Sequence, residues 1–122
     1  MSKPETMMID DVKYIREDAV DKPSVKVDGM EYCIIRTYSA GVFAGYVKER
    51  EGKEAVIVKS RGIWYWKGAC GLSQLATDGT NEPNSCKFTV EVPLREVMEV
   101  IEIIPCTEKA RKSIQGVAIW KK

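Results

Sequence analysis

The 122-residue chain contains no histidine. That removes the side chain whose ordinary pKa suits proton transfer near neutrality, and with it every Ser-His or Cys-His nucleophile arrangement. Its four cysteines, Cys33, Cys70, Cys86 and Cys106, are irregularly separated and form no CxxC pair, so the close ligand spacing of a structural zinc site is missing. No apolar run approaches the roughly 20 residues that span a bilayer, and the N-terminal MSKPETMMIDD lacks the apolar centre and cleavage site of a secretory signal. Neither a P-loop nor a dinucleotide fingerprint occurs. These absences predict a cytoplasmic, non-catalytic protein with no metal, cofactor or membrane segment, whose cysteines are reduced thiols that mostly pack as small apolar residues. With 19 basic and 18 acidic residues spread along the chain, there is also no electrostatic footprint for nucleic acid.

What is present fits one globular domain: 44% apolar and 30% charged residues in a length that supports a single core. Residues 1–30 mix proline, glycine and alternating charges and read as an arm, with one alternating piece at Val12-Lys13-Tyr14-Ile15 that suits an edge strand. Residues 31–122 read as the domain. EYCIIRTY, VFAGYVKER, EAVIVKS and IWYWKG carry the period-2 alternation of strands, separated by turn signals at Ser39–Gly41, Glu51–Gly52 and Ser60–Gly62. A four-stranded antiparallel meander over residues 31–67 is therefore expected, followed by a short helix in GLSQLATDG closed by Gly79. CKFTVEV predicts a fifth strand interrupted at Pro93, and the β-branched second half of VMEVIEIIP another. Thr107 caps a helix over EKARKSIQG, with basic residues expected in its last turns and a glycine stop; VAIWKK ends the chain as a short strand or docked tail. With no βαβ alternation, the fold class is mainly β (β-rich α+β), an antiparallel meander forming a small barrel or strongly bent sheet with two short helices.

The densest chemistry lies where Trp64 and Trp66 flank Tyr65. Alternation puts Ile63 with Tyr65 on one face and the tryptophans on the other. Core packing is one reading of these rings. The other is a stacking wall, with Arg36, Arg61 and Lys67 as phosphate partners and Tyr38, Ser39, Tyr46, Ser73 and Gln74 as polar or aromatic company in or near the bracketing turns. The glycines in this region punctuate turns and bulges or let a ligand approach the backbone, and Gly45, inside a strand, is expected to leave room for a ring or a guest. Glu91, Glu96, Glu99 and Glu102 read as an exposed face rather than a catalytic pair.

In the segments YCIIRTYSAGVFAGYVKEREGKE, WYWKGACGLSQLA and PCTEKARKSI and the closing WKK, the chain resembles a family of small tailed-bacteriophage and prophage proteins built on a domain of unknown function. The resemblance spans roughly residues 7–122 and brings no catalytic residues to place. It implies a phage accessory protein made in the bacterial cytoplasm, of a class that often counters host defences. Together the two lines point to a small nucleotide-like ligand, such as a host defence signal, as the partner of a sequestering module. The runner-up is an interaction module for a host protein or a second copy of itself, and a minor phage structural protein comes third. A homo-oligomer is expected, since a small open sheet leaves edges to cover.

Overall fold

The computed structural model describes residues 22–120, so the edge strand expected at residues 12–15 lies outside the described residues. Six strands and two helices follow in order: β1 Glu31–Thr37, β2 Val42–Glu51, β3 Glu54–Tyr65, α1 Leu72–Asp78, β4 Lys87–Phe88, β5 Val92–Val97, β6 Val100–Pro105 and α2 Glu108–Gly116. The sheet runs β4-β3-β2-β1-β6, with β5 paired to β3 beside β4. All these pairings are antiparallel.

The expected turn at Ser60–Gly62 does not form. β3 passes straight through it, held by β2 through Phe43↔Gly62 and Ala44↔Arg61, so the meander has three strands instead of four. The irregularity there is a bulge: the register shifts opposite Gly45, and Lys59 takes a positive φ of 52°. Nor is Gly45 a space for a ring. A Cβ there would stand 2.8 Å from that of Ser60, so the glycine lets two strands close on each other at the bulge. The turn that does form at Gly52 (φ 58°) joins β2 to β3 where the sequence places it.

CKFTVEV is split. Lys87–Phe88 pairs with the end of β3, and Val92–Val97 pairs with its first half. Between them Thr89 bonds Gly62 in both directions, N–H to carbonyl at 3.0 Å and hydroxyl oxygen to the Gly62 N–H at 2.7 Å. Pro93 does not interrupt; it sits inside β5, an edge strand that has a ladder on one side only, where a missing N–H is tolerated.

Both faces of the sheet are packed. On one, Tyr32, Ile34, Ala44, Ile63 and Phe88 meet Leu75 and Ala76 of α1 and Ala110 and Ile114 of α2. On the other, no helix contributes: Cys33, Ile35, Phe43, Ala55 and Ile57 are covered by Val97 and Val100, which come from β5 and β6. Strands from both ends of the order share that cluster, so the sheet bends around it. It is not a closed barrel, because no ladder joins β5 to β6 among the described residues.

Thr107 caps α2 as its sequence predicts, accepting from the Ala110 N–H at 3.1 Å. The other end differs: the last turn holds no basic residue, and Val117 rather than glycine is the C-cap. The cation arrives from β3. Arg61, 4% exposed, donates to the carbonyls of Ile114 (2.9 Å) and Val117 (2.7 Å), where a helix leaves acceptors unpaired.

Candidate ligand-binding groove

Phe43 and Gly62 are register partners, and two residues further along β3 the pleat turns Trp64 to the same side. Past the helix-free cluster, a groove of about 570 Å³ opens between Val42 and Phe43 of β2, Trp64 and Trp66, and Thr89, Val92 and Arg95. Gly62, without a side chain, forms part of its floor. Trp64 is 66% exposed. One face of its indole is stacked on Trp120 at 5.1 Å and 14°. The Trp120 ring is carried there by the chain end, where Trp120 N–H bonds the Phe88 carbonyl at 2.9 Å. The Lys87 ammonium lies 5.5 Å from Trp64 and 5.4 Å from Trp120, within cation–π range of both.

The two tryptophans do not share a strand face as simple alternation predicts. β3 ends at Tyr65 after a register irregularity between Ile63 and Tyr65. Trp66 therefore lies past the pleat and packs partly against the helix-side cluster, as Ile63 does. It still reaches the groove wall beside Trp64.

Of the other ligand-binding residues expected from the sequence, none lines the groove. Arg61 turns to the helix side, and all its N–H groups meet carbonyls: Thr89 on Nε at 2.8 Å, then Ile114, Val117, Phe88 and Ala118 on the terminal nitrogens. Tyr46 is buried edge-on to Tyr32 at 5.0 Å. Arg36 pairs with Glu102 at 3.1 Å, and Ser39 donates to Glu99 at 3.1 Å, beside an exposed Tyr38. Lys67 faces Glu82 at 4.0 Å. On α1 and its approach, the Gln74 side chain accepts from the Cys70 N–H at 2.7 Å, and the Ser73 carbonyl accepts from Thr77 at 2.9 Å. The four glutamates of the expected acidic face are all exposed.

The cation that does line the groove, Arg95, was not legible as such. Its guanidinium lies over the Phe43 ring, 4.4 Å from the centroid, and Nε donates to the fully buried Ser60 hydroxyl at 3.0 Å. Burial lowers its pKa, with no carboxylate acting against that. Among the described residues the two terminal nitrogens have no hydrogen-bond or ion-pair partner. Alternation in β5 and the apolar run around Phe43 place both residues on strands, but only the β3 register brings them together.

No two cysteines are bonded: Cys33, Cys86 and Cys106 are buried and Cys70 is exposed. Burial pushes the Cys33 and Cys106 thiols up to about 12, so neither is a nucleophile at neutral pH. Among the described residues no three potential ligand side chains gather around a metal-sized site, and no helix is long and apolar enough to cross a membrane.

Residues 30–114 match the domain of unknown function DUF6948, and the chain belongs to that family. No curated protein and no solved structure matches it.

Proposed function

We propose that this DUF6948 protein is a non-catalytic binding module that captures a small, flat, nucleotide-like anion in the groove between Trp64, Trp66 and Phe43. The observation that carries the reading is the pairing, in one groove of ligand size, of an exposed indole with a guanidinium whose terminal nitrogens have no partner among the described residues. Pockets for small molecules are typically a few hundred Å³ and mostly apolar, with few polar groups that fix orientation. An aromatic face stacks any base, and a cation holds its phosphate. In the phage setting suggested by the sequence, sequestration of a nucleotide signal of host defence in the bacterial cytoplasm is the role this chemistry suits.

Titrating the protein with nucleotides while following tryptophan fluorescence and the melting temperature tests the reading. Trp64→Leu keeps apolar bulk but removes the π-face, so affinity should fall about tenfold to a hundredfold, since stacking contributes about 1–3 kcal/mol per base. Folding should survive, because the ring is largely exposed. If no nucleotide, cyclic dinucleotide or ADP-ribose derivative perturbs the wild type, the ligand reading fails.

A second reading, a protein-binding or self-associating surface, is favoured by the exposed Val90, Leu94, Met98 and Ile101 close to the same groove and β5–β6 turn. Aromatic anchors with an apolar surround are common interface hot spots. Light scattering across a wide concentration range separates monomer from dimer, and a fixed monomer mass counts against the self-associating form.

A further inference from the structure

We infer that Trp120 is a positioning residue of the proposed site: by closing one face of Trp64 it holds that indole still and leaves a ligand one stacking face, the one turned to the groove. The inference rests on the binding function proposed above and assigns to that site a residue from outside the groove lining.

The exposure of Trp64 makes such a partner necessary. One residue before the end of β3 and 66% exposed, its side chain has little protein around it to select one rotamer. A ligand that stacked on a freely turning ring would bear the entropy of stopping it. Trp120 lies against that ring at 5.1 Å with the two planes 14° apart, and stacked aromatic pairs of this kind are favourable beyond the area they bury. The orientation of Trp64 is therefore set before any ligand arrives. Trp64 lines the groove and Trp120 does not, so the covered face is the one turned away from it.

Trp120 can impose an orientation because its own backbone is held, through contacts that begin on the helix side of the sheet. Val117 is buried in the helix-side cluster, and its carbonyl accepts from Arg61 at 2.7 Å. The Ala118 carbonyl accepts from the same guanidinium at 3.4 Å. Ile119 forms a parallel bridge with Phe88, and the Trp120 N–H donates to the Phe88 carbonyl at 2.9 Å. Phe88 is fully buried and belongs to β4, the strand that ends the sheet order. Four consecutive residues are thus tied down as the chain passes from the end of α2 along β4 to Trp64. The buried Arg61 network, which touches no part of the groove lining beyond the Thr89 carbonyl, in this way reaches the stacking ring through the tail.

The test separates ring orientation from folding. Full-length wild type, Trp64→Leu, Trp120→Leu and Trp120→Phe are compared by far-ultraviolet circular dichroism, thermal melting, and calorimetric titration with 5′-AMP, 5′-GMP, ADP-ribose and cyclic di-GMP. Two stacked indoles couple their transitions, so the wild type should show an exciton couplet that vanishes in Trp64→Leu and in Trp120→Leu. For the tightest-binding probe, Trp120→Leu should weaken affinity about twofold to tenfold, the scale of immobilising one side chain on binding, while melting near the wild type. Trp120→Phe, which restores a flat face, should recover most of that loss. A merely structural tail would instead move the melting temperature and leave the affinity of the folded protein alone. No couplet in the wild type, an early-melting Trp120→Leu, binding by Trp120→Leu as tight as the wild type or tighter, or no recovery in Trp120→Phe would each overturn the positioning role. In those cases a loss of binding in Trp64→Leu leaves the broader reading standing. Silence of all four probes overturns the binding reading, and with it the role that rests on it, even where the couplet is present.

Discussion

Arg61 and Arg95 meet β3 one residue apart, on opposite faces, and end in opposite conditions. Arg61 sits in the strand and turns to the helix side, where five carbonyls from the Phe88–Thr89 segment and the end of α2 surround it. Arg95 comes from the neighbouring strand to Ser60 on the other face, where one hydroxyl and one aromatic ring hold it. Burial lowers the pKa of both. The difference is the supply of acceptors. A helix C-terminus presents unpaired carbonyls, whereas the bent, helix-free face presents apolar side chains. The same residue type is thus a structural cap in one region and, among the described residues, an open donor in the other.

Removing the cap should have the largest effect. Arg61→Leu strands carbonyls at the end of α2 and along residues 88–89, and should lower the unfolding free energy by about 3 kcal/mol or more, since each buried acceptor left unsatisfied costs about 1–3 kcal/mol. Urea denaturation measures it; a loss below about 1 kcal/mol would erase the contrast between the two arginines. Gly45→Ala should come next. The added methyl meets the Cβ and Cα of Ser60 at 2.8 and 2.9 Å, in the strand that bears on both arginines, and overpacking of this kind costs about 1–3 kcal/mol.

A smaller effect belongs to the start of α2. The Arg111 guanidinium and the Val25 N–H hold the Glu108 carboxyl down to about 2. Because the folded value lies below the unfolded one, its contribution is full above the ordinary range near 4.5 and fades as pH falls toward 2. Screening at a partly exposed pair keeps it modest. Glu108→Gln should flatten the pH dependence of stability across that window, measured by denaturation at successive pH values, by removing this modest contribution at neutral pH and changing little near pH 2. Smallest of all, Arg95→Leu should shift stability by no more than about 1 kcal/mol, the scale of an exposed cation–π contact or one hydrogen bond. A large loss would make Arg95 a second structural arginine.

Much of the fold was legible because it is periodic. Alternation in EYCIIRT and EAVIVKS marks strands wherever they pair, and Thr107 with Glu108 marks a helix start by local capping. The Ser60–Gly62 segment misled because Arg-Gly reads locally as a reversal, while β2 supplies ladder partners on both sides of it. The candidate groove was half legible: the tryptophans stand out in IWYW, but their faces depend on a strand end and a register shift. Arg95 in VPLREV carries no local sign of a role, and Phe43 lies 52 residues before it in the chain. Trp120 could be read as a docked tail, though not as the ring that covers one side of Trp64.

By itself the sequence determined the elements and the chemistry excluded: short strands, two small helices, no histidine and no metal-ligand spacing. These depend on residue type and on spacing within a few positions, which the chain fixes before it folds. Tertiary structure decided which arginine is buried among carbonyls and which, among the described residues, keeps donors without a partner, whether the bent sheet closes, and what faces Trp64. Those outcomes turn on register between distant strands and on where a helix ends against them, and a slip of one residue in β3 would exchange the faces of Ser60, Arg61 and Trp64.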